Sequence, residues 1–163
     1  MTTLEIKISH FNGFITELIE WYKESNKSLE NNDLSILKIL KLLFLWAAED
    51  KAALNIFDNF KALPLWPVEM DIYKAIKQKN LKLKFDINVH RTNPQAKLLD
   101  RKTSPIAMSM IQHLKSKNPA LIKKTASQLV EITHNRDCWR IANFTGQLKL
   151  STSDILNSNS SYL

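Results

Sequence analysis

The stretch from Asp33 to Ala48 constrains the fold more than any other. Leu34, Leu37, Leu40, Leu43 and Phe44 fall on one helical face, and Leu42, Leu45 and Trp46 widen it until the helix is apolar nearly all round. Such a helix belongs inside a core, not on its surface. Its unbroken apolar run, Leu42 to Ala48, is far shorter than the roughly 20 residues a membrane span needs. The pattern therefore predicts a buried central helix, capped by Asp33 or Ser35, with the rest of a 163-residue chain packed around it.

The flanking segments supply the packing partners. Leu4, Ile8, Phe11, Ile15, Leu18 and Tyr22 recur at helical spacing, which Gly13 weakens by about 1 kcal/mol. Lys51 to Phe60 reads as a shorter helix inserting Leu54, Phe57 and Phe60. In Leu63-Pro64-Leu65-Trp66-Pro67 each proline pushes its predecessor out of the helical region, so a rigid extended turn is expected, with Pro67 opening a helix from Val68 to about Gln78. Leu81, Leu83, Phe85, Ile87 and Val89 then alternate with polar residues, the signature of a half-buried strand over 81–90. It needs a partner, either 147–151 or a second copy of the chain. Arg91 to Thr103 reads as a loop. Ser104-Pro105 starts a helix reaching about Lys117 with Ile106, Met110 and Leu114 inward. Asn118-Pro119 starts another, ending near His134 with Leu121, Ile122, Leu129 and Val130 inward. Cys138 to Phe144 is a last helical piece, and Ser151 or Ser153 caps a terminal turn around Asp154 and Ile155.

The fold class is thus mainly α: a compact single-domain bundle of about six helices with one short β element. Residues 1–156 form the domain and 157–163 a frayed polar tail.

Composition removes several function classes. Two glycines, Gly13 and Gly146, cannot build a phosphate-cradling loop or a dinucleotide fingerprint. A lone cysteine, Cys138, excludes a four-cysteine zinc site and an intrachain disulfide framework. The N-terminus lacks a basic start followed by an apolar stretch, so no secretory signal is expected and the protein reads as cytoplasmic.

The formal net charge of +7 is concentrated. Tyr73 to Lys124 holds thirteen basic residues against only Asp86 and Asp100, while the rest of the chain is acidic or neutral. A basic segment of this kind steers toward phosphates or an acidic protein, or simply forms a solvated face. For nucleic acid the segment has few aromatics to stack on bases, only Tyr73 and Phe85. A helix-turn-helix over Ser104–His134, with Lys115, Lys117, Lys123 and Lys124 at its junction, is the nucleic-acid alternative, although Asn118-Pro119 replaces the usual glycine turn.

Catalytic constellations are weak. The metal-ligating types are His10, His90, His113, His134 and Cys138, and their spacing matches no zinc motif. Cys138 with His134 could form a nucleophile pair, but a cysteine beside Trp139 reads as core. Glu49-Asp50 and Glu69/Asp71 most simply stabilise helix first turns. Of the tryptophans, Trp66, between two prolines, is the one expected nearest the surface.

Three blocks taken in order, Leu37 to Trp46, Ile56 to Tyr73 and Leu129 to Trp139, resemble the Panacea domain family of SocA-type antitoxins and phage-associated GepA-like proteins. That family shows a Lys-Leu-aliphatic-aromatic helix, a Phe/Ala stretch ending in Gly-Pro-Val with a Tyr a few residues on, and a later Leu…Thr/Ser-His…Trp segment. The matching positions are Phe60, Ala62, Pro67, Val68, Tyr73, Thr133, His134 and Trp139. The family's glycine before Pro-Val is Trp66 here, which removes backbone freedom and adds contact surface. The resemblance implies a helical, non-catalytic protein without a cofactor that neutralises a cognate toxin by direct binding. The expected partner surface is Trp66 with the basic loop residues Arg91, Lys97, Arg101 and Lys102. A homodimer and a nucleic-acid-binding regulator using 73–124 are the alternatives, and no membrane partner is expected.

Overall fold

The first helix, α1 (Thr3–Asn26), begins at a reciprocal cap. The Glu5 amide donates to Thr2 Oγ1 and the Thr2 amide to Glu5 Oε2, both at 3.1 Å, satisfying donors that a helix start leaves open. The computed structural model describes residues 2–26, 28–63, 66–94, 105–135, 149–151 and 155.

Helix α2 (Ile36–Ala48) is the buried centre the pattern predicts: every residue except Leu37 is buried. Ser35 caps it, its hydroxyl accepting from the Lys38 amide at 3.2 Å. Around it stand α3 (Lys51–Ile56), capped by Asp50, α5 (Pro105–Lys117) and α6 (Ala126–His134), while α1 packs on α5 and on α4 (Met70–Lys77). Aromatic stacking joins the layers. Phe14 of α1 stacks on Trp46 at 4.9 Å, Phe57 tilts against the same indole at 5.3 Å, and Phe44 meets Phe60 edge-on at 5.4 Å. The fold is therefore mainly α, with six α-helices and two small antiparallel sheets among the described residues. Among those residues no helix is long and apolar enough to cross a membrane.

The β structure departs from the sequence expectation in two places. First, the residues on either side of 64–65 pair as an antiparallel hairpin, β1 (Phe60–Leu63) against β2 (Trp66–Glu69), and the next helix starts at Met70, not Val68; positions 64 and 65 lie outside the described residues. The Met70 amide bonds to Asn59 O at 2.9 Å, so by alternation Pro67 falls where no ladder donor is needed. Glu69 then caps α4, its carboxylate accepting from the Asp71 and Ile72 amides. Phe60, expected at the end of a helix, opens the hairpin instead, and α3 stops at Ile56.

Second, the strand expected over 81–90 shrinks to β3 (Phe85–Ile87), and its partner is not 147–151. It pairs with β4 (Thr92–Pro94), inside the stretch read as a loop. Asn88 makes this possible: its side-chain oxygen accepts from the His90 and Arg91 amides and reverses the chain. Leu81 and Val89, which continued the alternation, are 98% and 66% exposed. Residue 149 bridges Lys61 of the other hairpin, and the Leu150 amide bonds to Phe60 O at 3.0 Å.

The stretch after Asn118 is also broken. A 3-10 turn at Leu121–Lys123 precedes α6, which Thr125 and Gln128 open with a capping box. Leu114, Leu121, Ile122 and Leu129 are buried as expected, Val130 is half-buried, and Ile106 is exposed. The Ile155 amide bonds to Ser151 O, in keeping with a terminal turn there. The helical piece expected over Cys138–Phe144 and the tail 157–163 lie outside the described residues.

Candidate interaction site

Three lysines lie inside the fold: Lys38 and Lys41, within the Leu37–Trp46 block, and Lys7, outside every motif. Lys7 of α1 reaches Asp58 Oδ1 at 2.8 Å, Glu69 Oε2 at 2.9 Å and Asp71 Oδ2 at 2.7 Å. Burial alone pulls its ammonium down. The three carboxylates outweigh that and hold it above the usual lysine range. Burial likewise works to raise the Asp71 carboxyl, and Lys7 together with the Asn59 amide outweighs it, so Asp71 is held low. The carboxylate oxygens of Asp58, Glu69 and Asp71 lie within 4.8 Å of one another, a spacing that could hold a cation. The Lys7 ammonium already sits among them, so the cluster serves as an internal ion lock tying α1 to the start of α4.

Lys38 and Lys41, three apart on α2, are fully buried. Lys38 donates to Asp33 at 2.9 and 3.0 Å and to Ile122 O at 2.6 Å, joining the start of α2 to the 3-10 turn before α6. Burial lowers its pKa and Asp33 only partly restores it. Lys41 approaches Pro67 O at 3.5 Å, and burial pushes it down to about 6. A neutral amine is a nucleophile in principle. Enclosed in the core, this one has no route to a substrate.

The residues shared with the resembled family converge on one region. Phe60, Ala62, Pro67 and Val68 are buried in the β1–β2 hairpin, which packs on α2, and β2 touches α6. Thr133 of α6 is buried and donates to Val130 O at 2.9 Å; His134 is half-buried in the last helical turn. Tyr73 is half-buried on α4, with Lys77 Nζ 5.9 Å from its ring centroid. These residues build the fold. Trp139 lies outside the described residues, as do Lys97, Arg101 and Lys102 and the side chain of Trp66. Arg91 is committed inside the chain, donating to Glu30 O at 3.1 Å and Asn31 Oδ1 at 3.3 Å.

Compared with protein-family models, curated proteins and solved structures, the chain matches none.

A different face of the basic segment is open. After α4 the chain turns through Lys79, in the left-handed region at φ 51°, and runs out to β3. Between the end of α4 and β3 lies a groove of about 500 Å³, lined by Ile76, Lys79, Asn80, Leu81, Leu83 and β3 itself. Leu81 stands at its lip almost wholly in solvent. Lys74, Lys77, Lys79, Lys82 and Lys84 are all exposed, and Asp86 is the sole carboxylate between Tyr73 and Pro94. Two asparagines hold this region rigid. Asn12 of α1 donates to Lys82 O at 2.9 Å and accepts from the Lys84 amide at 3.0 Å. Asn32 does the same for Thr92 of β4, at 2.9 and 3.1 Å. Sequence could mark the lysines and the alternation. It could not show that Leu81 stays outside.

Proposed function

We propose that this chain is a non-catalytic binding protein that docks an acidic protein partner on the α4–β3 face. Following the family resemblance, we propose that the partner is a toxin, which the chain neutralises by occupying it. The observation that carries the reading is Leu81: a leucine in solvent, at the lip of a groove that Lys79 also lines, in a segment whose lysines are exposed. Apolar anchors ringed by charge are the usual anatomy of a protein-docking site. A preformed, pinned surface also loses little entropy on binding. Among the described residues, the groups whose pKa is displaced, Lys7, Tyr22, Lys38, Lys41 and Asp71, do not line this groove, which favours recognition over chemistry.

The nucleic-acid alternative draws less support. Lys115 and Lys117, at the proposed helix-turn-helix junction, are ion-paired with Glu24 and Glu49 of this same chain.

The test is co-expression with the product of the reading frame beside this one. The expected result is that growth inhibition by that product is relieved, and that a variant carrying Leu81→Glu and Lys79→Glu melts like the parent but no longer relieves it. No relief by the parent chain, or full relief by the variant, contradicts the proposal.

A further inference from the structure

The groove beside β3 is lined by Phe85 and Ile87, both largely buried, whose strand edge has no backbone partner among the described residues. The Asn88 amide bonds to Arg91 O at 3.0 Å, which fixes the phase of the β3–β4 ladder. Bonded pairs alternate in an antiparallel ladder, so Asp86 is the next residue to turn its backbone groups toward β4, opposite Asn93. Phe85 and Ile87 then point theirs the other way. Among the described residues, no backbone bond outside that ladder reaches the N–H or C=O of Phe85 or Ile87. The direction they face is set independently. Asn12 binds Lys82 O and the Lys84 amide, residues of the same parity as Asp86, whereas the Leu83 amide bonds to Asn80 O at 3.0 Å. The odd-numbered side therefore faces Asn80, which lines the groove with Ile76 and Lys79.

An unpaired edge is a template for another strand, and proteins ordinarily cover or blunt it. Here it borders a groove of about 500 Å³ with a solvated leucine at one lip. We infer that β3 receives an extended segment of the partner as an added strand, lying in the groove between β3 and the end of α4. This deepens, and rests on, the reading of the α4–β3 face as a partner site. Main-chain bonds to Phe85 and Ile87 would supply register, as in strand-addition complexes generally. The chemistry of the segment follows from its surroundings. Lys79 and Asp86 are the charged residues that line the groove, while Lys82 and Lys84 stand on the α1 side of the same stretch with Glu5. With five exposed lysines against Asp86 between Tyr73 and Pro94, the partner segment is acidic, with alternate apolar side chains for Leu81 and Leu83. A second copy of this chain would bring the same lysines against themselves and is disfavoured.

The probe is a soluble peptide of about eight alternating glutamate and valine residues, a usual strand length. It is titrated into the full chain at low salt with backbone amides followed by NMR. The expected result is saturable binding with slowed exchange of the Phe85 and Ile87 amides and none of the Asp86 amide, which is already paired. Methylating the peptide nitrogens that face the edge keeps every side chain and removes the bonds; affinity then falls about tenfold or more. Exchanging glutamate for lysine abolishes binding. Failure of the acidic peptide to bind, indifference to methylation, unchanged Phe85 and Ile87 amides, equal binding of the lysine peptide, or protection arising from self-association each overturn the inference. The two proposals fail separately. Peptide binding without rescue of the neighbouring product retires the toxin reading alone. Rescue with freely exchanging Phe85 and Ile87 amides retires strand addition alone.

Discussion

Lys7 Nζ lies 2.9 Å from Glu69 Oε2, with the lysine side chain 4% exposed and the glutamate not at all. One charge comes from the first turns of α1 and the other caps α4, so the pair sets how the end of the β1–β2 hairpin meets the first helix. Asp58 and Asp71, at the same ammonium, are more open to water, so solvent screens their share of the pairing.

Removing the lysine strands a buried carboxylate. Lys7→Met is expected to destabilise the fold by about 3 kcal/mol, the low end for breaking a buried pair, because Glu69 keeps its bonds from the Asn59, Asp71 and Ile72 amides. Urea unfolding checks it: the midpoint falls while the slope is unchanged.

Lys41 has the opposite sense. Its folded pKa is pushed down to about 6 from 10.5, so between those values the unfolded chain binds more protons than the folded one. Stability therefore rises with pH across that window, by up to about 1.4 kcal/mol per unit. Lys38, also lowered, adds the same sign. Lys41→Met is expected to stabilise the chain at pH 7 by about 1–4 kcal/mol and to flatten the slope. Denaturation series at several pH values between 6 and 10 read both effects.

At the acid end Asp71 governs. Its folded pKa lies below 3.8, so the stability it contributes is present above that value and is lost as pH falls through the folded pKa. Asp71→Asn is expected to remove that part of the acid transition, as measured by circular dichroism between pH 5 and 2.

Asn12 and Asn32 pin the docking face. Each alanine variant leaves a main-chain donor and acceptor unpaired, costing about 1–3 kcal/mol. Faster exchange of the Lys84 amide in Asn12→Ala, and of the Thr92 amide in Asn32→Ala, is the expected signature.

The central helix was legible because its burial is written in its period: a face of Leu34, Leu40, Leu43 and Phe44 with Trp46 beside it leaves no solvated side. Ser35 and Pro105 marked helix starts for equally local reasons. The β1–β2 hairpin was not legible, because Pro67 reads as a helix opener until the alternation of ladder bonds shows that its missing N–H is not needed. The buried lysines were hidden by composition alone, since Lys7 owes its place to carboxylates more than fifty residues away. Leu81 was misplaced for a related reason. Alternation marks which residues share a face and not where the face ends, and the turn at Lys79–Asn80 leaves Leu81 outside.

The most direct test is calorimetric titration of the purified chain into the purified product of the neighbouring reading frame. A saturable one-to-one complex is expected, which Leu81→Glu weakens about thirtyfold, the equivalent of about 2 kcal/mol for a central apolar anchor. Absence of any complex, or an affinity that Leu81→Glu leaves unchanged, would contradict the proposed function.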